Sequence, residues 1–131
     1  MKKNLFAALL LGVIASAHSG PSDYQCLVHN VSDVDSKGLM KTGEPNLQLL
    51  FLVRRKTGEI IGAPFHNQTS TGVTTVQVLD YGSNEQAFKV VSVYKDAYTS
   101  VDYLQIDEFV DSSEKPFLGI TRSRIFSGTC R

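Results

Sequence analysis

The chain has 131 residues, thirteen basic and thirteen acidic side chains, and 42% hydrophobic residues. That length fits one ordinary domain. The balanced charge argues against a dedicated nucleic-acid binder, whose surface is strongly basic, and the apolar and aromatic content argues against disorder.

The N-terminus reads as an export signal. Lys2 and Lys3 precede an apolar run from Leu5 to Ala15, and Ala15-Ser16-Ala17 supplies a small-residue cleavage site. The run is about half of the roughly 20 residues that span a bilayer, so a permanent membrane helix is not expected. It also has no polar face, as a surface helix of the mature fold would. The expectation is a signal peptide over 1–17 and a single β-domain over 18–131. Cuts after Ala15 or Ser19 also satisfy the small-residue rule. With Lys2 and Lys3 removed, the mature charge is −2. No cysteine lies near the cut, so no lipid or membrane anchor is expected after cleavage. The protein would then be periplasmic or secreted.

Cys26 and Cys130 are the only cysteines, one near each end of the mature chain. In an oxidising compartment they are expected to form a disulfide. Closing a loop of roughly 100 residues contributes about 4–5 kcal/mol in the chain-entropy view.

Between them the chain reads as strands: Tyr24–Val31, Leu47–Arg55, Glu59–Ala63, Val73–Leu79, Ala87–Lys95, Ser100–Phe109 and Phe117–Thr129. They are rich in β-branched and aromatic residues, with turn clusters between them. In one of them Val101, Tyr103, Gln105 and Phe109 oppose Asp102, Leu104, Ile106 and Glu108. Short connections favour antiparallel neighbours. The expected fold is all-β, a small antiparallel β-barrel (a lipocalin- or calycin-like meander) or a β-sandwich, closed by one disulfide. The first-strand Trp of extracellular lipocalins is missing, because the chain has no Trp. Ser32–Pro45 is the one long polar connection.

Three constellations carry possible chemistry. Cleavage after Ala17 makes His18 the mature N-terminus, and its amine and imidazole, with His29 or His66, form a nitrogen set suited to Cu(II). This resembles the histidine brace of copper monooxygenases and periplasmic copper carriers. In the long connection, Asp33, Asp35, Gly38 and Glu44 occupy positions 1, 3, 6 and 12 of a pattern that resembles an EF-hand calcium loop. Lys37 at position 5 and Pro45 depart from that pattern. In the last strand, period-two geometry groups Leu118, Ile120, Arg122, Arg124 and Phe126 on one face. If internal, the two arginines would require an anionic partner such as a ligand carboxylate. Arg124-Ile125-Phe126 is similar to the Arg-x-Tyr pair of intracellular fatty-acid-binding barrels, with Phe in place of Tyr. An outward face would pair the arginines with surface acids such as Asp102 or Glu108.

Enzyme signatures are largely absent: no nucleophile elbow, no P-loop, no H-E-x-x-H and no dinucleotide-binding glycines. Arg54-Arg55-Lys56 forms a basic turn, and Asn30-Val31-Ser32 and Asn67-Gln68-Thr69 match the N-glycosylation pattern. The expectation is therefore a non-enzymatic binding protein without an obligatory cofactor, holding a small apolar or anionic molecule or a protein partner. The alternatives are a copper or calcium protein and a small periplasmic enzyme inhibitor; the comparison with such inhibitors rests on size, export and fold class.

Overall fold

The computed structural model describes residues 23–43, 47–67, 73–95 and 97–131. The expected signal segment, His18 and Glu44 lie outside them. Nine strands form the described fold, and no helix is present among these residues. They are β1 (Asp23–Val34), β2 (Met40–Thr42), β3 (Leu50–Arg54), β4 (Ile60–Ile61), β5 (Val73–Tyr81), β6 (Phe88–Lys95), β7 (Thr99–Ile106), β8 (Lys115–Thr121) and β9 (Arg124–Cys130). All pairings are antiparallel. The sheet order is β4-β3-β1-β9-β8-β7-β6-β5, and the sheet curls into a half-barrel.

β5 to β9 follow one another as a meander. β1 then lies against β9, joining the two ends of the domain. β1 is long enough to serve three partners: β9 along one edge, and β3 and then β2 along the other. The Cys26–Cys130 disulfide sits on the β1–β9 ladder, where the two residues are direct register partners. The expected staple is present.

One expectation is corrected. A single strand over Phe117–Thr129 would run roughly 43 Å at about 3.3 Å per residue, too long for a domain of this size. The chain instead reverses at Arg122-Ser123, with Thr121 paired to Arg124. Arg122 takes a left-handed backbone (φ 54°) to make this turn. No Gly or Asn marks it, so the reversal carries no local turn signal.

Alternation decides what is buried. In β7, Asp102, Leu104 and Ile106 face the concave side while Val101, Tyr103 and Gln105 face out. β1 buries Tyr24, Cys26, Val28 and Val31, its period shifted by a bulge between Val28 and Asn30. The concave side is packed with rings. Phe51 meets Phe65 and Phe117 edge-on at centroid distances of 5.4 and 5.2 Å, and Phe65 meets Phe126 at 5.6 Å. Such pairs contribute about 0.5–1.5 kcal/mol each beyond area burial. Phe65 comes from the connection after β4 and occupies the niche left by Gly119, where a Cβ would collide with its ring.

Side chains span the interval between the two ends of the sheet, β4 and β5. The buried Asn67 carboxamide accepts from Ile60 N (2.5 Å) and donates to Gly58 O (3.0 Å) and Ser92 Oγ (2.8 Å). It thereby ties the β3–β4 hairpin to β6. The turn of that hairpin leans onto the sheet: a Cβ on Gly58 would stand 2.7 Å from Val90 and 3.0 Å from Val78.

Candidate functional site

The two ends of the half-barrel differ. One is sealed by Arg55, whose guanidinium donates to Tyr81 O (2.7 Å) and Gly82 O (2.9 Å). It also pairs with Glu108 (3.5 Å) and lies over the Tyr24 ring (5.5 Å). Tyr24 is buried beneath it, and its hydroxyl lies by Glu108 without a well-formed hydrogen bond. Burial, then the Glu108 carboxylate, push this phenol far above its ordinary range. Arg54 pairs with Glu59 (2.8 Å) and Asp23 (3.6 Å). Of the basic turn read from the sequence, two members are thus held in ion pairs.

The opposite end is polar. Register partners in a sheet share a face, and the ladders align Val76, Ser92, Asp102, Thr121, Arg124, Asp33 and Lys41 across it. The next row down is apolar: Val78, Val90, Leu104, Gly119, Phe126 and Val31. Polar groups therefore rim a floor of packed side chains. Arg124 Nε donates to Asp33 Oδ1 at 2.9 Å, an exposed pair. Lys41 pairs with Asp35 at 3.6 Å.

Asp102 is different. It is 8% exposed, and the Thr121 and Tyr94 hydroxyls lie beside its carboxyl. Contrary to its reading as a surface acid it is buried, and among the described residues no cation stands within ion-pair distance; Arg122 acts on it only as a more distant charge. Burial raises its pKa above the ordinary carboxylate value, against the opposing pull of those partners. Tyr94 is pushed up to about 12, by burial first and then by the Asp102 charge. Its Oη also lies 3.5 Å from the His66 carbonyl, at the limit of a hydrogen bond.

The residues singled out from the sequence are placed as follows. Arg124 and Phe126 share the concave face, Arg124 at the solvent end and Phe126 buried against Phe65. Arg122 lies in the hairpin turn, and Leu118 is 41% exposed on the outer face. The expected common face of Leu118, Arg122 and Phe126 is not formed, because the hairpin changes the phase between β8 and β9. Arg124 takes Asp33 as its carboxylate, and Arg122 is the residue that acts on Asp102.

The Asp33–Gly38 segment ends β1 and turns into β2, a β-hairpin in place of the helix-flanked loop of an EF-hand. Asp35 Oδ1 accepts from Lys37 N (2.9 Å) and Leu39 N (3.0 Å), which fixes the turn and lowers its pKa. Asp33 and Asp35 thus serve different partners. His29 sits in the β1 bulge, its Nε2 3.1 Å from Thr129 Oγ1. It lines a shallow outer groove of about 180 Å³ with Leu27 and Leu50. His66 Nδ1 accepts from Gly62 N at 3.2 Å. Among the described residues, no three His, Cys, Asp or Glu side chains converge on a point that suits a metal ion.

Sequence reasoning missed Asp102, Tyr94, Ser92 and Asn67 as one cluster. The available signal was a carboxylate in phase with Leu104 and Ile106 on the apolar side of a strand. Comparison with protein-family models, characterised proteins and solved structures finds no match to this chain.

Proposed function

We propose that the protein is an exported, non-enzymatic binding protein and that it engages a protein partner at the polar end of the half-barrel. The observation that carries this is the contrast along the concave side. Phe51, Phe65, Phe117 and Phe126 fill its centre, Arg55 seals one end, and a row of charged and hydroxyl side chains borders the other. A packed aromatic interior favours recognition at the surface over enclosure of an apolar molecule, since ligand pockets are typically hollows of about 300–1,000 Å³. Exposed apolar side chains on the outer face, Leu50 (71%) and Leu52 (42%) among them, agree with a protein-binding role. The disulfide supports export, because such bonds persist in oxidising compartments.

Native mass spectrometry of the protein purified from its own compartment tests this reading. A stoichiometric protein partner is the expected result. A retained small organic molecule would move the assignment to a ligand carrier, and a bound copper or calcium ion would move it to a metal protein.

A further inference from the structure

We propose that Asp102 is the recognition residue of the polar end and that it receives a cationic group, the lysine or arginine side chain of a protein partner. This inference rests on the reading that the polar end is the binding surface. Of the three described acids that border this end, Asp33 already has Arg124 and Asp35 has Lys41. Asp102, 8% exposed, forms no ion pair among the described residues. A buried carboxylate without a cation carries an uncompensated desolvation cost, and a hydrogen-bonded ammonium or guanidinium is the chemistry that offsets it. Its surroundings are already ordered for that purpose. Ser92, its register partner on β6, is held by Asn67, and Thr121, its register partner on β8, sets a hydroxyl beside the carboxyl. The row leads from the exposed Arg124 through Thr121 to Asp102, so the approach is from the solvent end of β8 and β9. Arg122, in the turn above, is the chain's own competing cation.

The groups facing Asp102 are therefore Tyr94 and Ser92 from β6, Thr121 from β8, and Arg122 from the β8–β9 turn. Binding of a cation there requires the carboxylate form, so affinity falls as pH is lowered through the pKa of Asp102.

The experiment is an NMR titration of the whole protein with Nα-acetyl-lysinamide, and in parallel with its Nε-acetylated, uncharged counterpart. The charged probe is expected to shift the resonances of Tyr94, Asp102 and Thr121 saturably, and the uncharged one to leave them in place. Asp102→Asn, which keeps size and hydrogen bonding, should weaken binding by about tenfold or more. Arg122→Asn, in an exposed turn with a left-handed backbone, should tighten it. Equal shifts from both probes, undiminished binding by Asp102→Asn, or affinity independent of pH would each overturn the assignment. If those results come with a protein partner still retained in native mass spectrometry, the binding reading stands and only the role of Asp102 falls. Without such a partner, both fall.

Discussion

Asn67 is the most exposed point of the design in an energetic sense, though it is only 4% exposed to solvent. Its carboxamide makes three buried hydrogen bonds, from Ile60 N and to Gly58 O and Ser92 Oγ. Asn67→Ala removes all three and leaves the Ile60 N–H and Gly58 carbonyl without partners in an already buried place. At about 1 kcal/mol per bond the loss is about 3 kcal/mol, rising towards 5 where the orphaned groups stay dry. Set against a total of about 5–15 kcal/mol for a typical domain, that is a large fraction. Equilibrium urea unfolding followed by tyrosine fluorescence is the assay, since the chain has five Tyr and no Trp. The midpoint should fall with the slope unchanged, as expected when stability changes and compactness does not. Asn67→Asp retains the acceptor, loses both donors and adds a buried charge, so it should be weaker at neutral pH than in acid. A loss below about 1 kcal/mol for the alanine variant would refute the idea that this carboxamide holds the β3–β4 hairpin to the sheet.

Asp102 has a folded-state pKa above its unfolded value, so its contribution to stability is full below the unfolded pKa and is lost as pH rises through the folded one. Urea midpoints measured against pH should therefore fall across that window in the wild type, and Asp102→Asn should remove that part of the fall. Replacing both Cys26 and Cys130 by Ala should cost about 4–5 kcal/mol, given a sequence separation of 104; a loss near zero would contradict the loop-entropy argument. Gly119→Ala forces the Phe65 ring to move and should destabilise by about 1–3 kcal/mol or more in the same assay, with partial relief in a Gly119→Ala/Phe65→Leu double variant. Expressed in a glycosylating secretory pathway, Asn30, which is exposed, should accept a glycan, whereas the buried Asn67 should not; peptide mapping reads both sites.

Much of the fold is legible because strand structure has a short period. Alternation groups Asp102, Leu104 and Ile106 on one side of their strand, and the same alternation sets an acid among apolar residues, the trace of the polar end. The cysteines near the two ends anticipated the β1–β9 junction. Where local signals are weak, reading fails in a consistent way. Arg122-Ser123 has no turn residue, so two strands read as one and the face assignment of Leu118 and Arg122 went with it. Asn67 has the pattern of a glycan acceptor, yet it serves as a buried cross-link because Ile60, Gly58 and Ser92 converge on it from other segments.

By itself, then, the sequence determines the all-β class, the division of β7 into two faces and the pair of cysteines available to join the ends. Those follow from side-chain chemistry and from a period of two residues along the backbone. Only the tertiary structure decides which charge meets which. Arg124 finds Asp33 from 91 residues away, His29 finds Thr129 from 100, and Asp102 meets no cation among the described residues. Strand register and the curl of the sheet create those encounters, and both come from packing the whole core at once.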